Sequence, residues 1–238
     1  MRAPRQTVNA IETAGNMKLL SGLMRHAKQR AGERERARAL YIAAVEQARR
    51  PGFYTDCGVA DSVDGRFDLI VLHVFLVIRA LRRAAEPGKR LSDLIFKIMM
   101  DDMDMNLREM GVGDLRVGKR VKSMARAFYG RAAAYDSAFY ADRDGAAATS
   151  DGDGDGDGDG AGDGDEEGLE AALRRNIYGA EEPQPGEIER LLCYVRGAEE
   201  ALAGQPHEAL LAGEAAFPAA PGESAGAQAA AREPHPEA

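Results

Sequence analysis

The most constraining feature of the sequence is an apolar run at residues 67–78, with the sequence FDLIVLHVFLVI. It is shorter than the roughly 20 apolar residues that a helix needs to cross a bilayer. It also carries Asp68 and His73, which are costly to place in lipid. We therefore interpret the run as part of a helix that is buried in the core of a soluble protein. Neighbouring elements must then cover it.

The rest of the chain repeats its apolar residues with a helical period, and no segment longer than four residues alternates in the manner of a strand. We expect helices at about residues 17–28, 40–49, 66–84, 93–110, 114–140, 169–178 and 187–202. Pro51-Gly52 and Pro87-Gly88 are expected to break the chain between helices, and Ser92 to cap one of them. Gly111 is expected to end the 93–110 helix. The sequence predicts an all-α protein with a single multi-helix domain.

The domain boundaries follow from changes in composition along the chain. We expect a disordered N-terminus over residues 1–16 and a first part of the helical core over 17–143. A disordered Asp/Gly insert is expected at 144–168, and the second part of the core at 169–212. The Ala/Pro/Gly/Glu tail, 213–238, is expected to be disordered.

Acidic charge is concentrated around the insert, because residues 144–182 carry 13 Asp and Glu against 2 Lys and Arg. Part of the tract matches the spacing of a calcium-binding EF-hand loop: Asp155, Asp157, Asp159, Gly160, Asp163 and Glu166. An alternating Asp-Gly tract satisfies half of that spacing in any register, however, and no helix precedes it. We favour an acidic insert over a calcium sensor.

No pattern of catalytic residues stands out. Cys57 and Cys193 are too far apart in sequence for a metal motif, and we expect each to be a buried thiol. Asp101, Asp102 and Asp104 lack the second acidic cluster of a magnesium site, so we expect them to be solvated or paired with cations of the next helix. His73 is expected to be a buried, hydrogen-bonded histidine. We predict no catalytic residue, no cofactor and no metal.

The helix at 114–140 carries a dense group of cations in its first half, which could attract a phosphate-rich or acidic partner. We predict the partner-binding residues to be Arg66, Lys119, Arg120, Lys122, Arg126 and Arg131. A basic amphipathic helix at 17–28 is a second candidate for contact with an anionic membrane, although we favour its packing against the core.

Several motifs resemble those of the ubiquinol–cytochrome c chaperone family. The strongest runs from Asp102 to Asp114, DMDMNLREMGVGD, and continues through VGKRVK at 117–122 to AFYGR at 127–131. Shorter matches are DSVDGRFD at 61–68 and RNIY at 175–178. The resemblance covers about residues 40–203. The chain departs from the family at Ala60, where we expect proline, and in the Asp-Gly insertion.

This resemblance implies an all-helical chaperone, without catalytic residues, that assists assembly of the respiratory cytochrome bc complex (complex III). The implied client is newly made cytochrome b or its precursor, and the implied location is the cytoplasm, at the cytoplasmic face of the inner membrane. The ribosome, a small partner chaperone and an anionic membrane surface are further candidate partners.

Two other functions remain open from the residues alone. A ribosome- or RNA-binding module would use the same cations and would weaken steeply with salt. An enzyme acting on an isoprenoid or quinone would need magnesium at Asp101, Asp102 and Asp104, and the missing second acidic cluster argues against it.

Overall fold

The computed structural model describes the backbone of residues 8–148 and 168–223, and the side chains of 28–142 and 168–223. The described residues contain helices and no strands, as the sequence predicts. The helices are α1 (Val8–Ala48), α2 (Gly52–Thr55), α3 (Val63–Leu81), α4 (Ala85–Glu109), α5 (Asp114–Ala148), α6 (Leu169–Leu173), α7 (Glu187–Gly204) and α8 (His207–Ala212). A 3₁₀ turn, Arg82–Ala84, joins α3 to α4, and a π turn, Arg174–Tyr178, follows α6.

Helix α3 lies at the centre of the fold and contains the apolar run. It contacts α1, α4, α5, α7 and α8, and nearly all of its residues from Asp68 to Leu81 are buried. Its N-cap is Ser62, whose hydroxyl accepts a hydrogen bond from the amide of Gly65 at 3.1 Å. The carboxylate of the neighbouring Asp61 does not cap the helix and instead pairs with Arg66 at 2.7 Å.

Helix α1 corrects the predicted N-terminal organisation. The sequence predicted disorder before residue 17 and two separate helices, whereas the backbone is helical from Val8 to Ala48 without a break. The segment at 29–39 that joins the two predicted helices contains good helix formers and no proline. Its single Gly32 costs a helix only about 1 kcal/mol. Residues 1–7 of the predicted disordered N-terminus lie outside the described residues.

Helix α4 begins earlier than predicted, because Pro87-Gly88 lies inside its first turn instead of before it. Proline is tolerated there, since the amides of a first turn have no helical acceptor. Gly88 is required by close approach: a Cβ atom at this position would lie 1.9 Å from the carbonyl oxygen of Leu81. Ser92 consequently sits within the helix, and its hydroxyl donates to the carbonyl of Gly88 at 2.9 Å instead of capping.

Helix α5 continues to Ala148, so residues 144–148 are helical and do not belong to a disordered insert. The remainder of the predicted insert up to residue 167, including every residue of the EF-hand-like spacing, lies outside the described part of the chain.

The tail was also predicted incorrectly, because residues 213–223 pack on the core. We call this segment the C-terminal strap. Ala220 is 2% exposed, and the carbonyl of Pro218 accepts a hydrogen bond from Gln47 Nε2 at 3.0 Å. The ring of Phe217 lies 5.5 Å from that of His73. The strap thus packs against the middle of α3, at His73. Residues 224–238 lie outside the described residues.

His73 is fully buried, as the sequence analysis expected. Its Nδ1 lies 2.7 Å from the carbonyl oxygen of Leu69, which can only accept, so Nδ1 carries the proton. Nε2 then accepts a hydrogen bond from the hydroxyl of Tyr194 on α7 at 2.9 Å. Burial lowers the pKa of His73 to about 4. The neutral imidazole therefore links α3 to α7.

The strap gives a first testable prediction at Gly52, where an added Cβ atom would lie 1.7 Å from the carbonyl oxygen of Pro221. Gly52→Ala should lower the free energy of unfolding by about 1–3 kcal/mol, because the strap must shift. The control is Gly197→Ala in α7, where a Cβ would meet no atom within 4 Å. Urea unfolding should show the control equal to or slightly more stable than the wild type. Equal stability of all three proteins would contradict the packing of the strap.

The buried histidine gives a second prediction. Above pH 6.5 His73 is neutral in both the folded and unfolded states. As the pH falls towards 4, the unfolded chain binds a proton that the folded protein does not. The free energy of unfolding should therefore fall across this window, by about 3 kcal/mol at most from this residue.

His73→Gln should flatten this pH dependence, whatever its effect on stability at neutral pH. Tyr194→Phe is the matched control, because it removes the hydrogen bond but keeps the buried imidazole, and should keep the wild-type slope. Urea midpoints measured from pH 7 to pH 4 give the slopes. A His73→Gln slope as steep as that of Tyr194→Phe would contradict the assignment.

Candidate functional site

The first half of α5 presents a cationic face to solvent. Residues 115–131 contain six Lys and Arg and no Asp or Glu. Residues spaced by three or four share one side of a helix. This spacing aligns five exposed side chains, which we call the α5 stripe: Leu115, Lys119, Lys122, Arg126 and Tyr129. Along the helix, the three cations of the stripe thus lie between two apolar side chains, Leu115 and Tyr129.

Packing on the opposite side of α5 determines which way the stripe faces. Val117 and Phe128 are buried, and the ring of Phe128 lies 5.1 Å from that of Phe96 on α4. Phe96 also contacts Tyr129, with ring centroids 4.9 Å apart, although Tyr129 remains 59% exposed. These contacts turn Lys119, Lys122 and Arg126 away from the protein.

The stripe cations make no ion pair with any residue in the described part of the chain. Pairing with the aspartates of α4 was one of the two expectations from the sequence, and the structure corrects it. Asp101 pairs with Lys97 at 3.1 Å, and Asp104 with Arg108 at 2.6 Å. Asp102 accepts a hydrogen bond from the hydroxyl of Tyr41 at 2.8 Å. The positive charge of the stripe is therefore left to attract an external anion.

An exposed apolar tip adjoins the stripe at the turn between α4 and α5. Met105, Met110 and Leu115 are 56%, 55% and 99% exposed, and we call these three residues the apolar tip. The turn passes through Gly111 at φ +79°, as predicted for a glycine that ends a helix. The tip was not predicted from the sequence, although three methionines at 103–110 signalled it. Flexible methionine side chains suit a surface that must adapt to a partner.

Arg131 faces the core and does not join the stripe. Its guanidinium lies 2.7 Å from the carboxylate of Asp68 on α3, and both side chains are largely buried. The guanidinium also lies 5.8 Å from the ring centroid of Phe67. Burial raises the pKa of Asp68 to about 6, although the charge of Arg131 acts in the opposite direction. This ion pair joins α3 to α5. It gives Arg131 a structural role that needs no external binding partner.

The other two predicted residues, Arg120 and Arg66, are exposed but lie on different helices. Arg120 is exposed on α5 beside the stripe. Arg66 lies on α3 and pairs with Asp61. It lines a separate surface cavity of about 530 Å³ together with Arg49 and Tyr54. The structure therefore brings together Lys119, Lys122 and Arg126, with Arg120 beside them, and places Arg66 elsewhere.

Potential metal ligands and thiols are the groups that could supply chemistry in the described residues. No group of three or more His, Cys, Asp or Glu residues among them is arranged to hold a metal ion. Cys57 is buried, and burial raises the pKa of its thiol to about 12. Cys193 is exposed, contrary to expectation. Within the searched residues, no helix combines the length and apolar character needed to cross a membrane.

Comparison with known proteins gives a consistent result. The profile of the family described as Ubiquinol-cytochrome C chaperone matches residues 55–149 and 157–217. The match extends the resemblance found in the motifs into the C-terminal strap, and its two parts are separated only by residues 150–156, which lie in the Asp-Gly tract.

Curated relatives are named ubiquinol-cytochrome c reductase complex assembly factor 1. The Mus musculus protein is 25% identical over 157 residues, which are 66% of this chain and 45% of the mouse protein. The Xenopus laevis protein is 24% identical over 157 residues, 66% of this chain and 67% of that protein. The chain thus spans just under half the length of the mouse relative.

A solved structure resembles the fold. The crystal structure of the Cbp3 homolog from Brucella abortus superposes with a TM-score of 0.63 at 30% identity. The superposition covers 82% of this chain and 95% of the Brucella chain. Because the profile matches well over half of the sequence, including all of α3, α4, α5 and α7, the chain belongs to the ubiquinol-cytochrome C chaperone family.

Proposed function

We propose that this protein is an assembly chaperone for the respiratory cytochrome bc complex (complex III), and that it acts by binding and not by catalysis. The observation that carries the proposal is the family profile, which matches most of the helical core on both sides of the insert. The names of the curated relatives agree with it. The client that we propose is newly made cytochrome b or its precursor.

The apolar tip and the α5 stripe suit such a client. A membrane subunit exposes apolar helices before it is assembled, and Met105, Met110 and Leu115 offer an apolar surface without a partner in the described structure. The adjacent cations would meet acidic loops of the client or phosphate groups at the membrane. We propose that this combined surface, and not Arg131, contacts the client.

The same surface supports a peripheral position on the cytoplasmic face of the inner membrane. Exposed lysine and arginine are attracted to anionic lipid by about 1 kcal/mol each near the surface, and exposed Leu115 and Tyr129 suit the headgroup region. A chaperone held there would meet its client where the client is inserted. No membrane-spanning helix is needed for this attachment.

A second candidate is a ribosome- or RNA-binding module that acts on the synthesis of a membrane protein. The observation that favours it is the same run of cations in residues 115–131, which has no acidic residue within it. Phosphate binding by these cations would weaken steeply as salt is raised. Contact through the apolar tip would respond to salt much less.

Deletion of the gene should test the assembly role directly. Reduced-minus-oxidised absorbance spectra of membranes should lose the b and c haem signals of complex III, while other respiratory haems remain. Restoring the gene should restore both signals. An unchanged spectrum would exclude the assembly role and would leave the ribosome-binding function as the leading candidate.

Charge reversal of the stripe tests how the chaperone reaches its client. The triple variant Lys119→Glu, Lys122→Glu and Arg126→Glu should lose most binding to vesicles of anionic phospholipid and restore complex III poorly in the deletion strain. All three side chains are exposed, so its thermal stability should stay close to that of the wild type.

The matched control reverses three exposed cations elsewhere: Lys89→Glu, Arg90→Glu and Arg196→Glu. It changes the net charge equally, and it should keep both vesicle binding and complementation. If both triple variants lose binding to the same extent, net charge is responsible and the stripe has no special role. If the stripe variant keeps vesicle binding and complementation but no longer co-sediments with ribosomes, the stripe cations serve the ribosome-binding function.

A further inference from the structure

A surface cavity of about 460 Å³ lies at the C-terminal end of α3, away from the α5 stripe. Three arginines line it, Arg79, Arg82 and Arg83, together with Glu199 and the half-exposed ring of Tyr140. Its size lies in the range of sites that hold small ligands, but its lining is unusually rich in charge. The proposed chaperone function uses none of these residues.

Arg79 forms the rigid base of this cavity. Its side chain is only 10% exposed and pairs with Asp136 and with Glu199, the latter at 3.4 Å. Its guanidinium also lies 4.7 Å from the ring centroid of Phe139 and 5.3 Å from that of Tyr140. Arg79 is therefore held in place by α5 and α7, and its charge is matched inside the protein.

Arg82 and Arg83 lie at the mouth and retain binding capacity. Arg82 Nη1 lies 2.5 Å from Asp136 Oδ2, and Arg83 donates to the carbonyl of Ala203. Each guanidinium has five N–H donors, so these contacts leave several donors free on both. Among the described residues, Arg83 has no carboxylate partner. Three arginines against Asp136 and Glu199 leave one uncompensated positive charge.

We propose that this cavity is a binding site for a carboxylate group. The planar fork of an arginine binds both oxygens of a carboxylate, and one such group neutralises the single excess charge. A phosphate dianion would overcompensate it and would lie close to Glu199 and Asp136. The ring of Tyr140 on the rim offers an apolar contact to the body that carries the carboxylate. That body is a partner polypeptide or a small carboxylic acid.

The experiment uses nuclear magnetic resonance of the full chain, and follows the side-chain Nε–H signals of Arg79, Arg82 and Arg83. N-acetyl-glutamate amide is the probe for a peptide-borne carboxylate, and butyrate is the probe for a free acid of the same single charge. N-acetyl-glutamine amide is the neutral isostere, and inorganic phosphate is the competing anion. Saturable shifts in the millimolar range are expected with the carboxylates, and none with the neutral amide.

Tighter binding of N-acetyl-glutamate amide than of butyrate would assign the site to a polypeptide, and the reverse order would assign it to a small acid. Either order supports carboxylate recognition. Equal shifts with the neutral amide, or tighter binding of phosphate than of both carboxylates, would overturn the proposal. Absence of saturable shifts with every probe would overturn it as well.

Arg82→Gln should weaken carboxylate binding roughly tenfold, because it removes a charged guanidinium group from the mouth of the cavity. The side chain of Arg82 is 50% exposed and Asp136 keeps Arg79 as a partner, so the fold should be retained. Arg90→Gln is the matched control, because Arg90 is 48% exposed and also ion-paired but lies outside the cavity. An equal loss in both variants would show that general charge attraction, and not this cavity, accounts for binding.

Discussion

Burial of α3 on nearly every side is the constraint around which the other helices are arranged. The apolar run leaves no solvent-facing stripe from Leu69 to Val77, so α1, α4, α5 and α7 and the C-terminal strap must cover it. The polar atoms within it then need internal partners. His73 is hydrogen-bonded to its own helix and to Tyr194, and Asp68 forms an ion pair with Arg131. These contacts fix which faces of α7 and α5 turn inward.

The α4–α5 hairpin stands apart from this core at its tip. Met103, Leu107 and Val117 are buried, yet they do not belong to the continuous core that surrounds α3. A small separate cluster buries less apolar surface per residue than the main core does, and it leaves most of the first half of α5 exposed. The hairpin can therefore present Met105, Met110 and Leu115 to a partner without a cost to the stability of the core.

The arginines differ in burial and in their charged neighbours, and these differences cannot be read from the composition of the chain. Arg131 and Arg79 are largely buried beside carboxylates, where loss of the partner would leave an unpaired charge. Arg126 is exposed on the stripe, where the same guanidinium attracts external anions. Arg82 is intermediate, since it pairs with Asp136 but keeps free donors at a cavity mouth. The function of each cation follows from its neighbours.

The sequence by itself determined the all-α class, the central buried helix, the glycine end of α4 and the family, because helical periodicity and long motifs are local properties of the chain. It also located Lys119, Lys122 and Arg126 as one surface, since their spacing places them on one side of a helix. Tertiary structure decided that Arg131 turns inward, that Arg66 lies apart and that residues 213–223 pack. It also decided that Pro87 lies within the first turn of α4 and does not separate two helices, since this turn packs against Leu81. These outcomes depend on contacts between residues that are distant in sequence, such as the contacts made by Asp68 or Gln47. Helical periodicity does not reveal which distant residues will be in contact.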